Sequence, residues 1–319
     1  MQAVQFDRFG PPEVLGVRSA PEPHAGPGQV RIAVRASGVA PVDLALRAGT
    51  SPSRDSLPLP HIPGVDAAGV VDEVGEGAEG CAPGDEVFGV VDAARLGGAS
   101  AQFAVLAFWA AKPAALSWEE AGAAGTGVET ATRALDVLGV RDGTDPTLLI
   151  DGATGGVGSI AVQLAVARGA RVVATGRPGS EEFLTGLGAT PVPYGPGLAE
   201  RVRALGVARV GLALDVAGAG SLGELVALTG GPGSVVTLAD FTGPGAGVRL
   251  STGRIGGQPD GRHGLAVAAA LAEKGLFHVP VQAVFPAVRA ADAHAAAATG
   301  PRRGKTVLDL TALAPGAPR

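Results

Sequence analysis

A cluster of four glycines separates two apolar segments in the stretch LLIDGATGGVGSIAVQL, which runs from Leu148 to Leu164. The first segment is short and continuously apolar, as in a buried parallel strand, and the second has the spacing of a helix. Glycines in such a strand-to-helix turn let the backbone approach a phosphate, while the N–H groups of the helix point at the anion. This stretch therefore predicts a turn that binds the pyrophosphate of a dinucleotide.

The turn fits the dinucleotide fingerprint with an alanine in the first glycine position. Two of its glycines are expected to leave room for the pyrophosphate, and the last to let the helix pack closely on the strand. The helix is predicted from about Val157 to Arg168, and a second strand, RVVAT, follows at the spacing of a β-α-β unit. A plain tight turn is the alternative interpretation of the motif alone. The turn residues predicted to bind the cofactor are Ala153, Thr154, Gly155, Gly156, Val157 and Gly158.

The rest of the chain contains two regions with different sequence patterns. The first ~120 residues contain short strand-like runs with turn signals, such as QVRIAVRASGV and GDEVFGVV, which predict a small barrel or sandwich. Strand-like and helix-like segments then alternate to about residue 251, after a capping box predicted at Ser117 and Glu120. Such alternation specifies a parallel sheet with crossover helices. We therefore predict an α/β chain in which a doubly wound parallel-sheet domain is inserted into a β-rich domain formed by both chain ends.

Composition restricts the partners and the compartment. The net charge of -5 and the lack of any Lys/Arg run argue against nucleic acid as a partner. No apolar stretch approaches roughly 18 residues and no signal peptide is recognisable, so neither a membrane span nor secretion is predicted. The single cysteine, Cys81, excludes an internal disulfide and a multi-cysteine metal site, and the histidines lack metal-binding spacing. A soluble cytoplasmic protein is expected.

The end of the second strand bears on the choice of cofactor. NAD sites usually end this strand with an acidic residue that binds the ribose 2′-hydroxyl, whereas this chain continues from Thr175 to Gly176 and Arg177. A guanidinium can pair with a 2′-phosphate, and no carboxylate is present to repel that phosphate. The sequence therefore predicts NADPH. The alternative is that Arg177 is an ordinary surface arginine.

These motifs together point to a family. The chain resembles the zinc-free quinone oxidoreductase branch (zeta-crystallin-like) of the medium-chain dehydrogenase/reductase superfamily. The matching segments are MQAVQFDRFGPPEVL, GVAPVDLALRAG, IPGVDAAGVVDEVGEG, PGDEVFG, GATGGVGSIAVQLA, LALDVAG and GKTVLDL. The resemblance implies a GroES-like β-barrel domain with an inserted Rossmann domain, an active site in the cleft, NADPH as hydride donor and often a homodimer. The expected domains are a GroES-like catalytic domain over residues 1–122, the Rossmann NADPH-binding domain over 123–262 and a return to the catalytic domain over 263–319.

The resemblance also implies roles for individual residues. Arg177 and Tyr194 fall where the family holds the adenosine 2′-phosphate, although Tyr194 could instead cap the sheet edge. Thr130 matches the threonine near the nicotinamide, and Lys305 matches the lysine that closes over the cofactor cleft. Asp215 begins a segment that lines the cofactor ribose, with a simple turn residue as the alternative. The other residues predicted to bind the cofactor in this part of the chain are Val216, Ala217, Gly218, Leu238 and Ala239.

The expected substrate pocket departs from the family. Ala40 stands where the family has asparagine, and Ala99 stands where it has tyrosine, so polar groups that would bind a quinone oxygen are missing. We therefore predict a wide, mostly apolar pocket that includes Ala40, Asp43 and Ala99 beside an irregular, proline-rich loop at residues 49–64.

The catalytic group itself is not identified by the sequence. His61, in the proline-rich loop, is a candidate proton donor, with a solvated loop histidine as the alternative. Zinc-dependent relatives carry metal ligands where this chain has Ala40 and the stretch from Gly64 to Asp66, so no metal is expected.

The expected activity is the NADPH-dependent reduction of a C=C bond conjugated to a carbonyl, in a quinone or an enone. Without a metal, the chemistry depends on positioning the hydride donor against an electron-poor carbon. The substrate is expected to be bulky and apolar, in a pathway of secondary metabolism. The alternatives are an enoyl-thioester reductase of the polyketide type and a catalytically silent NADPH-binding sensor or scaffold.

Overall fold

The computed structural model describes residues 1–91, 97–207, 209–253, 259–300 and 303–313 of the 319-residue chain. The chain forms two compact units: a first unit of Met1–Thr126 with Leu265–Arg319, and a second unit of Gly127–Gly264. The predicted domain boundaries at residues 122 and 262 lie within a few residues of these limits, and the roles assigned to the domains remain predictions.

Strands and helices are numbered in chain order. The strands are β1 (Gln2–Gln5), β2 (Gly16–Ser19), β3 (Val30–Val39), β4 (Asp66–Val74), β5 (Glu86–Val90), β6 (Phe103–Leu106), β7 (Phe108–Ala111), β8 (Thr147–Asp151), β9 (Arg171–Gly176), β10 (Thr190–Pro193), β11 (Leu212–Asp215), β12 (Val235–Thr237), β13 (Arg249–Leu250), β14 (Val281–Pro286) and β15 (Lys305–Asp309). The helices are α1 (Pro41–Ala48), α2 (Trp118–Gly122), α3 (Gly125–Leu138), α4 (Gly156–Ala167), α5 (Glu181–Gly186), α6 (Leu198–Ala204), α7 (Leu222–Thr229), α8 (Gly264–Glu273) and α9 (Ala290–Thr299).

The second unit is built on a six-stranded parallel sheet. Its strand order is β10-β9-β8-β11-β12-β13, so the direction of winding reverses between β8 and β11. The apolar residues of β8 are fully buried, and most of α4 is buried as well. A buried cluster that includes Leu149, Val173 and Leu225 forms the core of this unit. The predicted doubly wound parallel sheet is confirmed.

The first unit is built on a seven-stranded sheet in the order β14-β15-β3-β4-β5-β7, with β6 also paired to β3. Its pairs are antiparallel except β14 with β15, and β1 and β2 form a separate two-stranded sheet. Alternate residues of the first half of β3 are buried, as its sequence pattern predicts. Because β15 pairs with β3, the C-terminal part of the chain completes the sheet that the N-terminal part begins. The predicted β-rich unit formed by both chain ends is confirmed.

Local signals in the sequence also appear in the structure. The Ser117 hydroxyl accepts a hydrogen bond from the Glu120 N–H (3.2 Å), and the Glu120 carboxylate accepts one from the Ser117 N–H (3.0 Å), so the predicted capping box forms at the start of α2. The loop at residues 49–64 is irregular except for one short 3₁₀ turn at Arg54–Ser56 and an isolated bridge between His61 and Phe6. Among the described residues, no helix is both long and apolar enough to span a membrane.

Candidate functional site

The glycine turn connects β8 to α4 in the second unit, at the point where the winding of the sheet reverses. Gly152 has a φ of 87°, and a Cβ at this position would lie 2.9 Å from the Ala217 nitrogen, so only glycine fits. Gly155 is the N-cap, and α4 begins at Gly156, one residue before the predicted start. A Cβ on Gly158 would collide with the Gly152 carbonyl, so this glycine lets the helix pack on the turn as predicted.

The surface of this turn suits an anion. Among the described residues, a Cβ on Gly155 would meet only the Gly152 oxygen, at 3.6 Å. The backbone N–H groups of Thr154 and Val157 have no hydrogen-bond acceptor among the described residues. Free N–H groups and the positive end of a helix attract a phosphate group. The residues present therefore fit the pyrophosphate of a dinucleotide.

Thr175, predicted to contact the cofactor, lies behind the turn. Its side chain is buried, and its hydroxyl donates a hydrogen bond to Asp151 Oδ1 (2.5 Å) and accepts one from the Gly152 N–H (2.9 Å). The second carboxylate oxygen of Asp151 accepts from the Ser221 hydroxyl (2.5 Å). Sequence reasoning missed Asp151 and Ser221. The only signal was the acidic residue that ends the apolar run LLID.

The segment after β11 is organised by the buried carboxylate of Asp215. This carboxylate accepts hydrogen bonds from the N–H groups of Ala217 (3.1 Å) and Gly218 (2.8 Å) and from the Thr237 hydroxyl (2.7 Å). Burial raises the pKa of Asp215, whereas these hydrogen bonds lower it. Asp215 is thus a buried acceptor that shapes its loop, and any contact of Val216 with a ribose remains a prediction.

The loops after β11 and β12 also contact each other. A Cβ on Gly218 would lie 2.8 Å from the Ala239 Cβ, and the Leu238 N–H donates to the Asp215 oxygen (2.8 Å). The structure therefore brings together the predicted residues of these two loops.

Arg177 and Tyr194 lie on neighbouring parallel strand ends. The Tyr194 N–H donates to the Gly176 oxygen (3.2 Å), which places Tyr194 beside the end of β9. Tyr194 is 51% exposed, and the exposed guanidinium of Arg177 has no partner among the described residues. Both side chains are accessible to a phosphate, but their contact with one remains a prediction.

Thr130 lies on α3 beside an ion pair. Its hydroxyl is 3.2 Å from a Glu129 carboxylate oxygen and accepts a longer hydrogen bond from Arg133 (3.4 Å). Glu129 and Arg133 are themselves paired at 2.9 Å. The proximity of Thr130 to a nicotinamide remains a prediction.

A second polar cluster lies within the first unit. The Lys305 ammonium is 3.0 Å from Asp66 Oδ2, and both side chains are buried. Asp66 Oδ1 accepts from the Thr126 N–H (2.5 Å), so one carboxylate joins the start of β4, the start of β15 and the first turn of α3. The structure thus assigns Lys305 an internal ion pair, and its predicted contact with the cofactor is untested.

Asp43 is buried close to this ion pair. Its carboxylate accepts from the N–H groups of Ala40 (2.8 Å) and Gly64 (2.9 Å), and thereby ties the start of α1 to the turn before β4. Burial raises the pKa of Asp43 to about 7, with a smaller contribution from the charge of Asp66. Asp43 is therefore a structural acceptor without an exposed surface.

One sequence interpretation in the first unit needs correction. His61 is only 3% exposed, so the solvated loop histidine is wrong: its backbone pairs with Phe6, and the two rings lie edge to face at 5.4 Å. Burial lowers the pKa of His61 to about 4, so its ring is neutral at neutral pH. Ala99 is fully buried in the core of this unit and Ala40 is nearly so, and their place in a substrate pocket stays a prediction.

Family models match two parts of the chain. Residues 26–128 match the alcohol dehydrogenase GroES-like domain, and residues 187–308 match a family described as zinc-binding dehydrogenase. The curated relatives include a 2-methylene-furan-3-one reductase of Solanum lycopersicum, 38% identical over 59% of this chain and 50% of the relative. They also include a quinone oxidoreductase of Rattus norvegicus, 37% identical over 57% of this chain and 54% of the relative. The chain spans about half the length of these curated relatives.

Solved structures match almost the whole chain. An NAD-dependent alcohol dehydrogenase is 30% identical and has a TM-score of 0.81, with 97% of this chain and 100% of that chain covered. The quinone oxidoreductase from Coxiella burnetii is 26% identical with a TM-score of 0.80, covering 97% and 99%. The Escherichia coli quinone oxidoreductase, solved with NADPH, is 24% identical with a TM-score of 0.79, covering 97% and 100%, and shows the fold alone.

The donor set of the described residues does not fit a zinc ion. Within the described ranges, no group of three or more His, Cys, Asp or Glu side chains is placed to hold a metal. The Asp66 carboxylate already binds Lys305 and a backbone N–H, and the Asp43 carboxylate already accepts hydrogen bonds from two backbone N–H groups.

Proposed function

Because the chain belongs to the quinone oxidoreductase branch of the medium-chain dehydrogenase/reductase superfamily, we propose that it is an NADPH-dependent reductase of quinones or α,β-unsaturated carbonyl compounds. The observation that carries this proposal is the glycine turn, where the N–H groups of Thr154 and Val157 and the guanidinium of Arg177 at the end of the next strand have no partner in the described part of the chain. The names of two relatives, a furanone reductase and a quinone oxidoreductase, support the substrate class.

The residues of the second unit would bind the cofactor in distinct ways. The N–H groups of Thr154 and Val157 would bind the pyrophosphate, and Arg177 would pair with the 2′-phosphate. The loop held by Asp215 would border the ribose. When bound, NADPH supplies the hydride that the reaction transfers. The Escherichia coli quinone oxidoreductase was solved with NADPH, whereas a 30% identical relative is NAD-dependent, so cofactor choice needs its own test.

We further propose that the reaction needs no metal, because the donor set does not fit zinc. The developing enolate then needs a hydrogen-bond donor from the protein or from water. His61 can serve in this role only as a neutral imidazole, since burial lowers its pKa to about 4. A chelator is expected to change neither rate nor stability. Loss of activity with the chelator and its return with zinc would contradict this part of the proposal.

The substrate class follows from the residues expected around the pocket. We propose a bulky, apolar substrate because Ala40 and Ala99 replace the asparagine and tyrosine of the family, and a pathway of secondary metabolism is a separate hypothesis. We also propose that the protein is cytoplasmic, as its composition indicates, and a homodimer, as the resemblance implies. Analytical ultracentrifugation tests the dimer.

Steady-state oxidation of NADPH and NADH over a panel of substrates tests the proposal. The panel contains small quinones, polycyclic quinones, enones of increasing length and enoyl thioesters. We expect turnover of a quinone or an enone, faster with NADPH than with NADH. Exclusive turnover of enoyl thioesters would indicate a polyketide-type enoyl reductase, and cofactor binding without any turnover would indicate a sensor or scaffold. Either result would contradict the proposed function.

A further inference from the structure

Two loops follow the adjacent carboxyl ends of β8 and β11. Asp151 and Asp215, the last residues of these strands, are in register across the sheet. The loop after β8 contains the glycine turn, and the loop after β11 runs through residues 216–221. Ligands of open α/β sheets bind in the crevice outside such a reversal point. The relative placement of these two loops therefore sets the shape of the candidate dinucleotide site.

Asp151 makes hydrogen bonds toward both loops. Through the Thr175 hydroxyl it reaches the Gly152 N–H, with distances of 2.5 Å and 2.9 Å. Its other carboxylate oxygen accepts from the Ser221 hydroxyl at 2.5 Å, at the far end of the β11 loop. Its carbonyl oxygen accepts from the Val216 N–H at 2.9 Å, at the near end of the same loop.

Both carboxylate oxygens of Asp151 thus accept hydrogen bonds from groups inside the protein. The side chain is buried, and in the described part of the chain it forms no ion pair, so the two hydroxyls are the groups that stabilise its charge. The Thr175 hydroxyl is occupied on both sides, by Asp151 and by Gly152, and therefore has no free donor for a ligand. Removal of this hydroxyl would leave a backbone N–H and a carboxylate oxygen without partners, and the turn would shift to satisfy them.

We infer that Asp151, acting through Thr175 and Ser221, is a positioning residue that holds the glycine turn and the β11 loop ready for the dinucleotide. The inference rests on the proposed function, because it takes the ligand of these loops to be a nicotinamide dinucleotide. Loops that are held in place before binding lose less conformational freedom when the ligand arrives. Thr175 therefore acts on the cofactor through Gly152 and not by direct contact.

Equilibrium binding of NADPH to the full chain, measured by isothermal titration calorimetry, tests this role. Thr175→Val keeps the side-chain shape and removes the hydroxyl, and we expect it to raise the Kd at least about tenfold. Thr175→Ser keeps the hydroxyl and is expected to restore the Kd to within about twofold. Thr229→Val is the matched control, because Thr229 is equally buried in the same unit but its hydroxyl bonds to carbonyls at the end of α7.

Thermal unfolding of each variant separates positioning from stability. A merely structural hydroxyl would lower the midpoint of Thr175→Val and leave its Kd unchanged, as we expect for Thr229→Val. Ser221→Ala removes the other hydroxyl that donates to the Asp151 carboxylate, at a less buried position. This variant can therefore test the inference even if Thr175→Val does not fold. We expect Ser221→Ala to raise the Kd roughly fivefold or more, and the double variant to lose less than the product of the two single effects.

The outcomes distinguish this inference from the proposed function. Binding of NADPH within twofold of the unmutated protein by both Thr175→Val and Ser221→Ala overturns the positioning role and leaves the proposed function intact. Failure of the unmutated protein to bind NADPH or NADH overturns both.

Discussion

Replacement of Arg177 by alanine tests the cofactor assignment most directly. Arg177 follows the last residue of β9, and its exposed guanidinium has no partner among the described residues. The local contact of this residue is made by its backbone oxygen, which accepts from the Ser180 N–H at 3.1 Å and is kept in alanine. Arg177→Ala should therefore leave the free energy of unfolding within about 0.5 kcal/mol of the unmutated protein.

The expected effect on NADPH binding is large by comparison. A hydrogen bond to a charged group contributes about 1.5–3 kcal/mol, or roughly one to two decades in Kd. Because the guanidinium is exposed, solvent and salt screen it, so the lower end of this range applies. We expect Arg177→Ala to raise the Kd for NADPH about tenfold to thirtyfold at low salt and to leave the Kd for NADH unchanged.

Calorimetric titrations of both cofactors against both proteins supply the four constants. Arg171→Ala is the matched control, because Arg171 is an exposed arginine at the start of β9, roughly 17 Å from the Gly176 end of that strand at 3.3 Å per residue. This control loses the same charge and should keep the preference for NADPH. An unmutated protein that binds the two cofactors equally, or an Arg177→Ala variant that keeps its preference, would refute the assignment.

Three further predictions follow from burial and packing. A Cβ on Gly158 would collide with a backbone carbonyl, so Gly158→Ala should destabilise the protein by about 1–3 kcal/mol in urea unfolding, whereas Gly155→Ala should keep the stability but weaken NADPH binding. Normal NADPH binding by Gly155→Ala would argue against the anion site. Burial lowers the pKa of His294 to about 3, so this side chain is protonated more readily in the unfolded than in the folded protein. His294 alone should therefore lower the free energy of unfolding by about 2 kcal/mol as the pH falls from about 7.5 to 5. His294→Leu should show a correspondingly smaller pH dependence, and an unchanged one would contradict the burial argument. Lys305→Met leaves the buried Asp66 without its ion pair and should lower the free energy of unfolding by about 3–5 kcal/mol. In a double-mutant cycle, adding Asp66→Asn should restore most of this loss. No recovery would show that the lysine stabilises the protein by packing alone.

The parts of the fold that the sequence predicts are those governed by local periodicity. The apolar run before the glycines, the helical spacing after them and the capping box at Ser117 each depend on residues close together in the chain. The doubly wound sheet follows from the alternation of strand-like and helix-like segments. Gly158 has its predicted packing role because the turn and the helix that meet there are adjacent in the chain. These features were predictable because each is decided within about 20 residues.

The remaining features depend on which distant segments meet. His61 is buried because its strand-like backbone pairs with Phe6, and nothing near it in the sequence indicates that contact. The Thr175 hydroxyl donates to Asp151 because β9 and β8 are neighbours in the sheet. Ser221 donates to the same carboxylate from the loop after β11. Hydroxyl and carboxylate contacts of this kind are set by strand order and register, which periodicity does not specify.

The ion pair between Lys305 and Asp66 joins residues 239 positions apart, and this separation has a consequence for synthesis on the ribosome. At ~5–20 residues per second, Asp66 waits roughly 10–50 s for its counter-charge. During that time the second unit can complete its sheet, while the segment Ala36–Val39 of β3, which pairs with β15 in the finished protein, still presents an open strand edge. Until β15 arrives and pairs with it, this edge of the nascent chain is therefore open to pairing with another chain.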